Sequence, residues 1–208
     1  MKIALKGRLL ALGIAAALAI LAVLFLRSRG WNSNAIAGVG GEPFRDFPMI
    51  ETPIYLQHDR AWEGEPIGGT GETLGSVGCT VCCLAMGLGH FGFERTPKEL
   101  NAWLKANEGY SPRGWLRWET VSKLTAGKVR VDFRAPLNHE TIDAALKARQ
   151  PVLAKVFINR AITHWVLVVG KEGTEYLIQD PLSVRKKPER LSSYTSGVHA
   201  IRILKTNE

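Results

Sequence analysis

An uninterrupted apolar run near the amino terminus, residues 9–26, constrains this chain more than any other feature. Its eighteen residues would rise about 27 Å as a helix, close to the roughly 30 Å hydrocarbon thickness of a bilayer. The run therefore predicts a transmembrane signal anchor. A cleaved signal peptide is the alternative, because residues 35–38 (AIAG) have a pattern that signal peptidases use. That site lies about ten residues beyond the run, across Arg27 and Arg29, which is a poor cleavage context.

The charges around the run predict the orientation of the chain. Lys2, Lys6 and Arg8 precede the run together with the terminal amine, whereas Arg27 and Arg29 follow it. This modest excess favours a cytoplasmic amino terminus. We therefore expect a membrane-anchored protein whose remaining part lies on the extracytoplasmic side, or a secreted protein if the run is a signal peptide that is removed.

The composition beyond the run indicates one folded domain behind a flexible segment. With 208 residues, of which 46% are hydrophobic, the chain can bury one sizeable core. Residues 30–53 are rich in Gly, Asn, Pro and Ser, as is typical of a tether. The predicted organisation is a cytoplasmic basic segment (1–8), the anchor (9–26), a linker (27–53) and a domain (54–208).

The net charge of +8 does not indicate a nucleic-acid-binding protein. Residues 1–30 contain five basic and no acidic side chains, which leaves only +3 of the total for residues 31–208. The flanks of the apolar run therefore account for most of the basicity, and we exclude nucleic acid as a partner.

Helical patterns precede strand patterns in the remainder of the chain. The predicted helices are TVCCLAMGLGHF, apolar almost all round; TPKELNAWLKAN, with a threonine N-cap, a proline and a glutamate in its first turn; GWLRWETVSKL; and NHETIDAALKAR, capped by Asn138. After Pro151 the predicted strands are PVLAKVF, THWVLVVG, TEYLIQD and VHAIRIL. This order predicts an α+β fold in which helices are followed by an antiparallel sheet.

All three cysteines of the chain lie in GSVGCTVCCLAMGLGHFG, residues 75–92. We expect Cys79 at the first turn of a buried helix, where unpaired backbone N–H groups and the helix dipole stabilise a thiolate. From this stretch alone, three buried packing residues are an equal alternative, and we interpret Cys83, in the middle of the helix, as one.

Two other chemistries are compatible with clustered cysteines. Cys79 and Cys82 form a CxxC pair, as in thiol oxidoreductases, but the preceding stretch TGETLGSVG is glycine-rich and does not resemble a strand that runs into the motif. A zinc site from the three cysteines and His90 would have an unusual ligand spacing. We expect no metal and no other cofactor.

His164 opens one predicted strand and Asp180 ends the next, so a tight hairpin would bring them to the same end of the sheet. They share a face if the pairing register has an even residue sum, as a three-residue loop with a glycine bulge would give. A two-residue turn at Glu172 and Gly173 would place them on opposite faces. The sequence leaves both arrangements open.

The order of these segments resembles the peptidase family thirty-nine-like (C39-like) domains. These are papain-like cysteine peptidases related to bacteriocin-processing, double-glycine leader peptidases, and the resemblance runs from Tyr55 to Leu182. It is carried by YLQHDRAW (55–62), the cysteine-containing stretch, TPKELNAWLKANEGY, HWVLVVG and IQDPL. The resemblance implies a papain-like fold and a peptide or protein substrate.

The resemblance also implies the roles of four residues. Cys79 would be the nucleophile, His164 the base, Asp180 the residue that orients it, and Gln57 a donor to the oxyanion. Cys83 matches a second cysteine of the leader peptidases, which supports a packing role. Thr80 is a departure, because relatives usually have glycine after the nucleophile.

We therefore predict a membrane-anchored extracytoplasmic cysteine peptidase. Because a branched side chain at Thr80 could narrow the oxyanion pocket, a catalytically inactive peptide-binding module on the same fold is the alternative. A CxxC thiol oxidoreductase is a third reading. The sequence does not indicate the oligomeric state.

Overall fold

The structure is a computed structural model that describes residues 34–45, 49–185 and 187–206. The chain divides into two units at Ala35 and Ile36, and every described helix and strand belongs to the second. No helix within the described ranges is long and apolar enough to cross a membrane. The predicted basic segment and anchor, residues 1–26, lie outside those ranges.

The described residues of the second unit form a six-stranded antiparallel sheet. Its order is β1-β4-β3-β6-β2, and the short β5 pairs with β4. The strands are β1 (Val39–Phe44), β2 (Val129–Asp132), β3 (Val152–Ile158), β4 (Ile162–Gln179), β5 (Glu189–Arg190) and β6 (Ala200–Thr206). The predicted antiparallel sheet after Pro151 in sequence is thus confirmed, although two of its strands, β1 and β2, precede Pro151.

The described part of the chain has five α-helices. They are α1 (Leu74–Val77), α2 (Cys79–His90), α3 (Pro97–Ala106), α4 (Thr120–Leu124) and α5 (His139–Lys147). Helix α2 packs on β4 and β3, α3 packs on α2, α4 on β2, and α5 on β1, β3 and β4.

Helix α2 is the central helix of the core. All but three of its residues are buried, as its apolar composition predicts. The glycines in it allow close packing: a Cβ atom on Gly87 would lie 2.3 Å from Leu204 Cδ1, and one on Gly89 would lie 2.5 Å from Pro53 Cδ. Neighbouring elements therefore approach this helix closely at both glycines.

The capping residues predicted for α3 and α5 occupy their expected positions. The Glu99 backbone N–H donates to Thr96 Oγ1 (3.2 Å), and the Thr96 N–H donates to Glu99 Oε2 (2.8 Å), which together form a capping box. The Thr141 N–H donates to Asn138 Oδ1 (2.7 Å) at the start of α5.

The predicted helix GWLRWETVSKL is wrong for its first half, since only α4, its second half, is helical. Gly114 has a φ of +74°, and Tyr110 and Leu116 form an isolated β-bridge, so the backbone there is committed to a loop. Trp115 is 67% exposed, whereas Trp118 packs against the core. Trp115 and Trp118 therefore do not lie together on one face of a helix.

The folded part begins before residue 54, because β1 lies in the segment that we predict as a linker. Phe44 and Ile50 are buried, and the Ile50 N–H donates to the Val169 carbonyl (2.7 Å). Only scattered apolar residues mark this segment, which explains why its composition suggests a tether.

A buried ion pair fastens β1 to the rest of the domain. Lys171 Nζ lies 2.6 Å from Asp143 Oδ1, and the Lys171 side chain is fully buried. The Tyr176 hydroxyl donates to the same Asp143 oxygen (2.9 Å), and the Glu42 N–H donates to the other (2.8 Å). The Asp143 carboxylate on α5 thereby connects β1 and β4.

Candidate active site

The turn between α1 and α2 places Cys79 at the first position of the central helix. The Gly78 N–H donates to the Leu74 carbonyl (2.8 Å), and a Cβ on Gly78 would lie only 2.3 Å from that oxygen, so glycine is required there. Cys79 is 8% exposed. As the first residue of α2 it has no intrahelical acceptor for its N–H.

His164 and Asp180 hydrogen-bond through His164 Nε2 and Asp180 Oδ1, which are 2.8 Å apart although the residues are 16 positions apart in sequence. A fully extended strand of that length would span about 50 Å, so the chain folds back on itself within the β4 range. Gly173, between the two residues, has a left-handed φ of +58°. The two side chains therefore share a face, and the arrangement on opposite faces is wrong.

The remaining ring nitrogen of His164 is the one available to the cysteine. Nε2 is engaged by Asp180, and the Cys79 side chain is near enough to raise the pKa of His164, so Nδ1 is the nitrogen left for the sulfur. The structure thus brings together three of the four sequence-predicted residues in the order Cys79, His164, Asp180. A base oriented by a carboxylate beside a thiol can accept and return the thiol proton.

Asp180 has hydrogen-bond partners on both carboxylate oxygens. Oδ1 accepts from His164 and from the Leu182 N–H (2.8 Å), whereas Oδ2 accepts from the Tyr194 hydroxyl. Sequence patterns do not indicate Tyr194, since it follows a short 3-10 helix (Leu191–Ser193) and belongs to no apolar repeat. It is an addition to the predicted site.

Burial and charge act in opposite directions on the His164–Asp180 pair. Burial lowers the pKa of His164, but the hydrogen bond to Asp180 and the negative charges of Cys79 and Asp180 outweigh it and raise that pKa to about 9. Burial raises the pKa of Asp180, but the hydrogen bond and charge of His164, with the Tyr194 and Leu182 donors, bring it below its usual value. The site therefore favours an imidazolium beside a carboxylate.

Gln57 is buried next to this group. Its backbone N–H donates to the Pro181 carbonyl (2.7 Å), directly after Asp180, and its side-chain Nε2 donates to the Gly75 carbonyl (2.8 Å), four residues before Cys79. Its Oε1 is buried and has no hydrogen-bond partner among the described residues. A flipped amide would place Oε1 against the Gly75 carbonyl oxygen, so the observed orientation is the favourable one.

The other two cysteines are packing residues. Cys82 and Cys83 are fully buried, and burial is the main cause that raises the pKa of each thiol. The Cys83 thiol donates to the Trp165 carbonyl (3.3 Å), which joins α2 to the strand that carries His164. All three cysteines are free thiols. A buried thiol of raised pKa is a poor partner in disulfide exchange, which disfavours the CxxC reading.

The cysteine cluster also lacks the surroundings of a zinc site. The described residues contain no group of three or more Cys, His, Asp or Glu side chains that could hold a metal ion. The ring nitrogens of His90 lie 3.1 Å and 3.0 Å from the backbone carbonyl oxygens of Glu51 and Arg149. His90 is therefore engaged at the far end of α2 and is not available to the cysteines.

Comparisons with known proteins agree with this fold. The model of the Peptidase C39 family matches residues 75–195, more than half of the chain. That range includes Cys79, His164, Asp180 and Tyr194, whereas Gln57 lies before it. No curated protein matches the chain. A crystal structure of a C39-like peptidase from Bacillus anthracis is similar to this chain, with a TM-score of 0.51 and 15% identity over 77% of this chain and 99% of that chain. At this identity the likeness shows the fold alone.

Proposed function

Since the chain belongs to the Peptidase C39 family, and is therefore a cysteine peptidase, we propose that Cys79 is its nucleophile and His164 its general base and acid. Asp180 would hold the His164 ring in the tautomer and orientation that the reaction needs. The observation that carries this proposal is the 2.8 Å hydrogen bond between the His164 ring and the Asp180 carboxylate, with the Cys79 side chain near enough to raise the pKa of that ring.

The reaction follows from the protonation state that the site favours. The Cys79 thiolate attacks the carbonyl carbon of a peptide bond, and the carbonyl electrons move to the oxygen. His164 gives its proton to the leaving amine as the carbon–nitrogen bond breaks, which leaves a thioester. His164 then takes a proton from water as the hydroxide attacks the thioester, and the sulfur departs as a thiolate, which restores the thiolate–imidazolium pair.

Two donors are available for the negative oxygen of the tetrahedral intermediate. The Cys79 N–H is the first N–H of α2, and the Gln57 amide has a second hydrogen besides the one donated to the Gly75 carbonyl. Each such donor contributes roughly 3 kcal/mol in hydrolases. The partnerless Oε1 of Gln57 supports the view that this amide is held in place for its N–H groups.

We also propose that residues 9–26 anchor the peptidase in a membrane, with the catalytic domain on the extracytoplasmic side. The support is the length of the apolar run and the basic residues before it. The substrate would be a peptide or protein. A secreted form after cleavage of the run would carry the same site.

One observation favours a second candidate, an inactive peptide-binding module. Thr80 Oγ1 lies 4.0 Å from Cys79 Sγ, so a branched side chain stands beside the sulfur where relatives usually have glycine. Such a module would bind a peptide equally well with and without the Cys79 thiol and would cleave it in neither form.

The test is cleavage of a mixed-sequence peptide library by the full-length protein, read by mass spectrometry. We expect cleavage by the wild type, loss in Cys79→Ala, and retention in Cys83→Ala, which removes a thiol one turn further along α2. Cleavage that persists in Cys79→Ala contradicts the proposal. Equal peptide binding by wild type and Cys79→Ala without cleavage by either favours the inactive module.

A further inference from the structure

We propose that Tyr194 is a positioning residue for the His164–Asp180 pair and that the segment Ile36–Gly38 holds it in place. This inference rests on the proposed catalytic roles of His164 and Asp180. Tyr194 would not touch substrate; it would act through the Asp180 carboxylate.

The hydrogen bonds of Asp180 show what Tyr194 fixes. Oδ1 is engaged by the His164 ring and by the Leu182 N–H, and Oδ2 by the Tyr194 hydroxyl. With donors on both oxygens, the carboxylate cannot rotate about its Cβ–Cγ bond without losing one of them. Because the His164 ring is oriented by Oδ1, a carboxylate of fixed plane gives an imidazole of fixed plane.

Tyr194 also covers the pair from solvent. Its ring lies 6.0 Å from the His164 ring at an interplanar angle of 38°. The His164 and Asp180 side chains are only 2% and 9% exposed, whereas Tyr194 is half-buried. Excluding water at this point strengthens the interaction of imidazolium and carboxylate.

The segment that carries Tyr194 is fastened on one side by β4. The Tyr194 N–H donates to the Leu191 carbonyl (3.0 Å), which closes the 3-10 helix. The Ser192 N–H and hydroxyl donate to the two carboxylate oxygens of Glu175 at 3.1 Å and 2.7 Å. The start of this segment is therefore tied to the strand that leads to Asp180.

The segment before β1 fastens it on the other side. Ile36 and Val198 exchange two backbone hydrogen bonds, from the Ile36 N–H (3.0 Å) and from the Val198 N–H (2.8 Å). Gly38 lies against the backbone of Leu191 so closely that an added Cβ would be 2.8 Å from its carbonyl carbon and oxygen. The chain before β1 thus supports the loop that reaches Asp180, and through it the proposed catalytic pair.

The test measures the alkylation rate of Cys79 against pH in the full-length protein, with iodoacetate as the reagent. Iodoacetate is an anion, so its reaction with a thiolate is fastest while the neighbouring imidazolium is charged. The rate therefore has an acid limb, where the thiolate forms, and an alkaline limb, where His164 loses its proton. This readout needs no substrate.

In Tyr194→Phe we expect the pH range between the acid and alkaline limbs of the alkylation rate, the Cys79 window, to narrow by about one pH unit in total. Without the Tyr194 hydroxyl the Asp180 carboxylate is held less firmly, so it stabilises the charge of the His164 imidazolium less. We expect peptide cleavage at neutral pH to fall about ten- to a hundredfold, as for one lost hydrogen bond to a charged group. Tyr176→Phe is the matched control, since its hydroxyl also donates to a buried carboxylate, that of Asp143 (2.9 Å). It should leave the Cys79 window unchanged.

A second readout separates positioning from stability. The far-downfield proton resonance of the His164 Nε2–H, which reports its hydrogen bond to Asp180, should move upfield in Tyr194→Phe and not in Tyr176→Phe. If both the Cys79 window and the His164 resonance are unchanged in Tyr194→Phe, this inference is overturned, while the proposed function is not affected. A wild-type Cys79 that shows no window at all contradicts the proposed function, and this inference with it.

Discussion

The His164 ring donates through Nε2 to Asp180 Oδ1 at 2.8 Å, so its other nitrogen, Nδ1, is left for the neighbouring Cys79 side chain. His164 lies within β4 (Ile162–Gln179), and Asp180 directly follows that strand. The proposed base and its orienting carboxylate thus belong to one continuous segment, and the nucleophile belongs to the helix packed against it. Catalysis would depend on how well these two units are held together.

Asp180→Asn tests the carboxylate. The pKa of His164 is raised to about 9 in the folded protein, above its usual value near 6.5, so the imidazolium persists through neutral pH and is lost as the pH rises through about 9. Without the Asp180 charge we expect the pKa of His164 to fall and the alkaline limb of kcat/KM to move to lower pH. We also expect kcat to fall about a hundredfold or more. An NMR titration of the ring measures the pKa, and an unchanged alkaline limb would contradict the prediction.

Gln57→Ala tests the proposed oxyanion donor independently of the proposed Cys79–His164 ion pair. The amide lies beside the site but does not hydrogen-bond to His164 or Asp180, so we expect the pH profile of Cys79 alkylation to stay as in the wild type. We expect kcat/KM for peptide cleavage to fall about a hundredfold, since one donor to the oxyanion is lost. Equal cleavage by both proteins would remove Gln57 from the mechanism.

Gly38→Ala tests the support of Tyr194 from the segment before β1. A methyl group there would lie 2.8 Å from the Leu191 backbone, so the loop must shift. We expect the same narrowing of the Cys79 alkylation window as in Tyr194→Phe, with a roughly tenfold loss of cleavage. Gly64→Ala is the matched control, because a Cβ at Gly64 meets nothing within 4 Å. Identical pH profiles of Cys79 alkylation in Gly38→Ala and Gly64→Ala would contradict this prediction.

Lys171→Met tests the buried ion pair that fastens β1. Lys171 Nζ lies 2.6 Å from Asp143 Oδ1, and the side chains are 0% and 6% exposed. Removing the lysine leaves an uncompensated buried carboxylate, so we expect the free energy of unfolding to fall by about 3–5 kcal/mol. Denaturant unfolding measures it. The exposed pair of Lys98 and Glu65 provides the comparison, and Lys98→Met should have little effect.

Elements with strong local patterns could be predicted from the sequence. Helix α2 has an unbroken apolar composition, α3 and α5 have unambiguous caps, and β3 and β6 have β-branched apolar runs, and all of them form near the predicted positions. Elements held mainly by tertiary contacts could not. Strand β1 is formed by pairing with β4 and by the Asp143 carboxylate, and neither contact leaves a pattern in its own residues.

The same distinction between local patterns and tertiary contacts applies to the candidate site. The positions of Cys79 at a helix start and of His164 and Asp180 at the end of a hairpin follow from local signals. Whether the latter two share a face depends on the turn, where Gly173 adopts a left-handed φ of +58°, and residue types alone left this open. Tyr194 reaches Asp180 from a loop 14 residues away in sequence, so its contact could only be found in three dimensions. The catalytic roles and the anchor at residues 9–26 stay predictions.

The most direct measurement of the central claim is the alkylation rate of each cysteine against pH, resolved by mass spectrometry, in the wild type and in His164→Ala. Cys82 and Cys83 are internal controls because both are fully buried. The account predicts that Cys79 alone reacts down to about pH 5 and loses this reactivity in His164→Ala, since a thiolate paired with an imidazolium forms far below the usual thiol pKa of about 8.5. A Cys79 that reacts as an ordinary thiol in both proteins, or that is protected by a disulfide to Cys82 until a reductant is added, would contradict it.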